Sequence, residues 1–320
     1  MLIRQDSERP RSLEDLIDPR LAARLESLDV ISRKMLSGKL PGERRSKRRG
    51  RSVEFDDFRN YAPGDDLRHI DWNVYARFER LLIKLFREEE DLSLTIALDI
   101  SASMDAGTPS KIVFASKLAA ALASVGLFNQ NRVSLATFGA GKFNMLAPMR
   151  GKTNIKRATD FLLESLRVNA THEQATDSFS RAATMLASTR RNRGILIVIS
   201  DWLFESDLTT GLNALGAATQ VGALDTYAVL VRAPDEENPD LAQSRGLFGD
   251  LLLTDIESGR TSEVTVSEES VEVYRRERKK FEESWRHACT ARGIASFILS
   301  TDASVEQVVT DSLRQGGLLR

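Results

Sequence analysis

From Leu81 onward, short apolar runs of strand character alternate with segments of helical periodicity, and this alternation is what most constrains the fold. Strands are predicted at Leu81 to Phe86, Leu92 to Leu98, Val133 to Phe138, Ile195 to Ser200, Thr226 to Val231 and Ala295 to Leu299. Helices fill most of the intervals. The best marked opens at Thr108-Pro109 and sets Ile112, Ala115, Leu118, Ala119, Leu122 and Val125 on its inner face. A strand-helix order of this kind implies an α/β protein with a doubly wound, mostly parallel sheet, helices on both faces and right-handed crossovers. Such sheets bind ligands at the carboxyl ends of their strands.

Two of these strands end in chemistry at that end. Leu92 to Met104 reads LSLTIALDISASM, an apolar run that stops at Asp99, Ser101 and Ser103. Alternate residues of an extended segment point to one side, so one carboxylate and two hydroxyls can converge. Ile195 to Ser200 stops at Asp201 in the same way, and Ala175-Thr176-Asp177 opens the helical run that leads into it. Oxygen ligands of this type suit a hard divalent cation, which takes few carboxylates and keeps some waters. Mg²⁺ is the expected ion, with Mn²⁺ or Ca²⁺ as alternatives. The bland reading of Asp-x-Ser-x-Ser is a helix N-cap, since Asp and Ser often cap helices.

Thr153, in Arg150-Gly151-Lys152-Thr153-Asn154, rivals Thr176 as the threonine ligand. Thr176 is preferred because it stands directly upstream of the helix leading to the Asp201 strand. Gly-Lys-Thr also resembles part of a phosphate-binding loop, but the glycine required five residues earlier is Leu146.

Taken together, Asp99, Ser101 and Ser103, then Thr176 before a helix, then a strand ending at Asp201, resemble the metal-ion-dependent adhesion site of the von Willebrand factor A type across residues 90 to 300. The resemblance implies a Rossmann-like domain that captures a partner's carboxylate through its bound ion.

A second constellation lies at Val53 to Arg77, VEFDDFRNYAPGDDLRHIDWNVYAR, dense in charges interleaved with aromatics around a Pro63-Gly64 turn. Two readings are open. One is an internal lattice in which Arg59, Arg68 and Arg77 pair with carboxylates while Phe55, Phe58, Tyr61 and Trp72 pack beneath. The other is a metal-dependent phosphoesterase or nuclease using Asp65, Asp66, His69 and Asp71, with Asp99 in support.

The run EFDDFRNYAPGDDLRHIDWNVYAR followed by FREEED is similar to the signature of the bacterial and archaeal domain-of-unknown-function family fifty-eight. Arg59, Tyr61, Pro63, Gly64, Asp65, Asp66, Arg68, Ile70, Asp71 and Trp72 fill its positions. In that family the block precedes a von Willebrand A-like domain, and members are implied to act as adaptors beside MoxR-type AAA+ ATPases in assembling or activating other proteins. The expected organisation is a helical arm and linker at 1–43, the signature segment at 44–90, and a von Willebrand A-like domain at 91–320 with a loop and hairpin insertion at 232–270.

In the arm, Asp18-Pro19 reads as an N-cap and first helical residue, and Leu21, Leu25, Leu28, Ile31 and Met35 recur at helical spacing until Gly38. The basic run Arg44 to Arg51 reads as a solvated loop or a contact for an acidic partner. Nucleic acid is not expected, because no aromatics interleave with it. In the insertion, Asp250 to Ile256 is expected to pair with Ser262 to Val266 as a hairpin. Val271 to Arg292 reads as a long charged helix with Tyr274, Phe281, Trp285 and Ala288 inward and Gly293 at C′.

The 45 basic and 46 acidic residues leave a formal net charge of -1, which argues against a chain devoted to nucleic acid or an anionic membrane. A single cysteine, Cys289, excludes an internal disulfide and fits a reducing compartment. No signal peptide and no apolar run of spanning length is recognised, so a cytoplasmic protein without a membrane span is expected. The three histidines, His69, His172 and His287, share no spacing with a nucleophile, and no enzyme of that type is expected.

Overall fold

The computed structural model describes residues 9–31, 53–88, 92–139, 141–167, 178–188, 194–204, 207–221, 224–237, 249–254 and 261–320. Their contacts divide the chain into two compact units, Met1–Lys39 with Leu92–Arg320, and Leu40–Asp91.

The larger unit is built on a six-stranded sheet. Its strands are β3 (Ser93–Asp99), β4 (Arg132–Gly139), β5 (Lys142–Met149), β6 (Gly194–Ser200), β7 (Leu224–Arg232) and β10 (Ala295–Ser300), in the spatial order β10-β7-β6-β3-β4-β5. All neighbours are parallel except β4 and β5, so the chain has a mixed α/β fold with a mostly parallel, Rossmann-like sheet. Consecutive residues of the central strands feed opposite cores. Leu94, Ile96, Leu98, Ile195, Ile197 and Ile199 face one cluster. Ala97, Leu196 and Val198 face the other. Burial on both faces is why these strands read as continuous apolar runs.

The first core holds helix α4 (Lys111–Phe128), covered in turn by the N-terminal arm and by α5 (Ile155–Leu166). The second holds α6 (Ser178–Ser188), α7 (Leu208–Gln220) and α9 (Glu268–Thr290), through Phe179, Leu212, Trp285 and Cys289 among others. Helix α4 begins at Lys111 rather than at Pro109, and it is buried nearly all round rather than along one stripe. It is long and apolar enough by composition to cross a membrane, with mean hydropathy 1.6, yet 83% of it is buried inside the protein. Its position in the core accounts for its apolarity.

The arm departs from the expected single helix. It forms α1 (Leu13–Leu16) and α2 (Pro19–Leu25), and α2 is capped as predicted, with the Asp18 carboxylate accepting from the backbone N–H groups of Arg20 and Leu21 at 2.9 and 2.8 Å. After a turn at Glu26 and Ser27 the chain leaves the helix. Val30 pairs with Leu319, and the Ile31 N–H donates to the Leu318 carbonyl at 2.8 Å. Tertiary pairing with the C-terminus outweighs the helical spacing of Leu28 and Ile31, and the predicted helical positions from Met35 to Gly38 lie outside the described residues.

The smaller unit contains a strand that periodicity did not single out, β1 (Val53–Asn60), paired antiparallel with β2 (Leu82–Glu88). The strand predicted at Leu81 to Phe86 therefore belongs to a separate two-stranded ladder and not to the main sheet. The insertion hairpin forms as expected, β8 (Gly249–Thr254) against β9 (Thr261–Val266). Gly293 ends α9 with φ +72°, the left-handed conformation expected at C′.

Candidate functional site

The carboxyl ends of β3 and β6 lie side by side, because Leu98 pairs with Ile199 in parallel register. Asp99 is fully buried there. Its Oδ1 accepts the Ser101 backbone N–H at 2.8 Å, and its Oδ2 accepts the Ser200 hydroxyl at 2.7 Å. After Asp99 the chain turns through a short 3₁₀ segment, Ala102–Asp105, which brings the Ser103 hydroxyl to 3.1 Å from that of Ser101. Asp201 follows the end of β6, 4% exposed. Burial first, and then the charge of Asp201, push the Asp99 carboxyl up to about 7, while the hydrogen bonds from Ser200 and Ser101 pull the other way.

Gly139, at the end of β4, makes this packing possible. Its φ of +118° is left-handed, and a Cβ there would stand 2.6 Å from the Ser101 backbone nitrogen and 3.1 Å from Asp99 Oδ1. Only glycine meets both conditions.

Lys111 supplies the opposite charge. Its ammonium, with no exposed surface, donates to Asp201 Oδ2 at 2.8 Å and to Glu236 Oε1 at 2.6 Å. Burial disfavours its charge, but the two carboxylates outweigh that and raise its pKa. Glu236 lies on the short helix α8 (Pro234–Glu237) just past β7, so a third strand end contributes a carboxylate.

Four of the five predicted metal ligands thus come together: Asp99, Ser101, Ser103 and Asp201. Thr176 lies outside the described residues. Thr153 is at the wrong end of the sheet: β5 runs antiparallel, with Met149 beside Val133, and leads to Thr153 at the amino ends of the parallel strands. Among the described residues no three His, Cys, Asp or Glu side chains form a metal cluster, so any ion would rest on mixed carboxylate and hydroxyl oxygens. The donor set fits a small hard ion. Neighbouring ligands of an octahedral Mg²⁺ stand roughly 3 Å apart, close to the spacing of the two serine hydroxyls. Of the two carboxylates beside them, Asp201 is paired with Lys111, and Asp99 has no ion pair among the described residues.

The signature residues are in the smaller unit, and several of them bond within it. Arg59 pairs with Asp65, whose other oxygen accepts the Ala62 N–H at 2.9 Å. Asp66 accepts from the Arg68 backbone and guanidinium. Asp71 is 7% exposed and caps helix α3 (Trp72–Phe78) through the N–H groups of Asn73 and Val74. Gly64 takes φ +100° in the turn after Tyr61 and Pro63. The lattice reading needs correction in part. The Arg68 and Asp66 side chains are 78% and 43% exposed, and Trp72, at 59%, does not pack beneath them but meets Tyr75 edge-on at the surface. A recess of about 590 Å³ nearby is lined by Phe58, Val74, Phe78, Arg80 and Leu82. The side chains of Phe55 and His69 lie outside the described residues.

Residues 57–287 match the family described as "Protein of unknown function DUF58". The chain belongs to the DUF58 family. Uncharacterized proteins of Mycobacterium bovis and Mycobacterium tuberculosis are similar to this DUF58 chain, 31% identical over 258 residues, which is 79% of this chain and 76% of theirs. An aerotolerance-related membrane protein from Bacteroides fragilis, crystallised with multiple mutations to serines, aligns with TM-score 0.43 and 15% identity over 70% of this chain and 99% of its own. The pilus adhesin SpaC from Lactobacillus rhamnosus GG, in an open conformation, aligns with TM-score 0.40 and 11% identity over 73% of this chain and 31% of its own. Likeness at that level carries no argument about this DUF58 protein, whose fold is read from its own sheet. Sequence reasoning missed Lys111, Glu236, Ser200 and Gly139. A signal existed for the first two: a lysine opening an otherwise apolar helical run, and an acidic cluster just beyond a strand's carboxyl end.

Proposed function

We propose that this DUF58 protein is a metal-dependent protein-binding adaptor whose larger unit is von Willebrand A-like and whose ion site is Asp99, Ser101, Ser103 and Asp201, completed by Thr176. The observation that carries the reading is the meeting of two buried carboxylates and two adjacent hydroxyls at the carboxyl ends of β3 and β6, where open parallel sheets take their ligands. When bound, Mg²⁺ at such a site offers an open position to a carboxylate oxygen of another protein. Ser200 and the Ser101 N–H hold Asp99 in one orientation, and Gly139 lets the serine loop pack against β4. The partners we propose are a MoxR-type AAA+ ATPase and a client that presents an Asp or Glu, meeting in the cytoplasm.

The test is a Mn²⁺ titration of the full chain and of Asp99→Ala, followed by capture of partners with and without chelator. One divalent site in the parent chain, lost in the variant, with an AAA+ ATPase or its client released by chelator, is the expected result. A protein indifferent to Mg²⁺ and Mn²⁺ overturns the proposal.

A further inference from the structure

Lys111 is a fully buried cation that no part of the ion shell needs as a ligand. A lysine with no exposed surface gives up its hydration, and an apolar side chain of similar length would avoid that cost. Its position is built rather than incidental. Its backbone N–H donates to the Ala106 carbonyl, and its ammonium joins two strand ends by holding Asp201 after β6 and Glu236 after β7. Glu236 is fixed in turn: Oε2 accepts the Ala233 N–H at 3.0 Å, and its carbonyl accepts the Tyr274 hydroxyl at 3.2 Å. Asp201 and Glu236 share one ammonium, and the buried Asp99 carboxylate beside Asp201 has no ion pair of its own among the described residues, so these four groups together carry two net negative charges when all are ionised. That residue is the charge of one divalent ion.

We propose that Lys111 is a resident counter-ion of this site: it keeps the loops assembled when no divalent ion is bound, and by sharing Asp201 with that ion it weakens binding enough to make occupancy reversible. The inference rests on the metal reading of the same site. It predicts that removing the ammonium charge converts an exchangeable ion into a structural one, because Asp201 and Glu236 then lose the cation with which both are paired.

The experiment compares the full chain with Lys111→Met, and with Lys111→Met combined with Glu236→Gln, which removes one of the carboxylates left uncompensated. Mn²⁺ affinity is read by paramagnetic titration, and thermal stability in chelator and in excess Mg²⁺. In chelator, Lys111→Met should melt well below the parent and recover in Mg²⁺, whereas the parent moves little. The double variant should stay folded in chelator, and both variants should bind Mn²⁺ at least tenfold more tightly than the parent. If the parent binds Mn²⁺ and the folded variants bind equally or more weakly, Lys111 only positions Asp201 and the inference falls. If the parent binds no Mn²⁺, the adaptor reading fails separately. The counter-ion inference then stands if the variants acquire a site and falls if they do not.

Discussion

At the scale of single residues, Gly139 is where a methyl group does most harm. Backbone strain at φ +118° costs roughly 1–3 kcal/mol for a non-glycine residue, and the added Cβ would also press on the Ser101 nitrogen, which cannot yield without moving Asp99's partner. Gly139→Ala should therefore lower the urea midpoint and, under the proposed ion site, abolish divalent binding together. Gly64→Ala has a similar φ of +100° but meets nothing within 4 Å, so it should show only the strain penalty and leave binding intact. Equal effects of the two changes on binding would refute the packing role of Gly139. Cys289 gives a pH prediction. Burial pushes its thiol up to about 12, against the pull of Arg292's charge. The unfolded chain releases that proton near pH ~8.5 while the folded one keeps it, so stability due to this group falls as pH rises above ~8.5 and continues to fall toward 12. At pH 10 the parent should have lost about 2 kcal/mol more than Cys289→Ala, each unit being about 1.4 kcal/mol. Parallel pH profiles for the two proteins would remove Cys289 as the cause. The motif residues Asp99, Ser101, Ser103 and Asp201 were legible in sequence because two apolar strands end on them. Gly139 and Ser200 were not, since their roles exist only once neighbouring strands are in register.

At the scale of elements, the strongest periodicities gave the right structures. The hairpin β8–β9, the long helix α9 and the central strands lie where patterning puts them, within a few residues. The two strands that were not anticipated, β1 and β5, have local reasons to escape notice. The β1 segment interleaves charges with aromatics and has no continuous apolar run, and β5 contains Pro148, which is tolerated because β5 is an edge strand. The arm helix was legible at its start and not at its end. Asp18→Ala should cost about 1 kcal/mol by freeing the first-turn N–H groups of α2, read from the urea midpoint. No measurable change would mean that packing alone holds α2 in place.

At the scale of the molecule, the arm closes the first core. Leu16, Ile17, Leu21, Leu25, Leu28 and Val30 are all buried in the cluster that surrounds α4, and Arg320 reaches Asp29 at 2.8 Å where the C-terminus pairs with the arm. Leu25, with no exposed surface, should cost roughly 2–5 kcal/mol on change to Ala. Val273→Ala, 41% exposed on α9, should cost no more than about 0.5 kcal/mol. Comparable losses at the two positions would show that the arm is a dispensable cover. The sequence by itself determined the α/β class, the mostly parallel character of the sheet and the oxygen-bearing loops, because burial on two faces and the periods of strand and helix are written into local pattern. Tertiary structure alone decided that Lys111 meets Asp201 and Glu236, that Thr153 lies at the far end of the sheet, and that Val30 pairs with Leu319. Each of those outcomes depends on strand order and direction, which bring residues up to about 290 positions apart into contact, and no local periodicity encodes such distances.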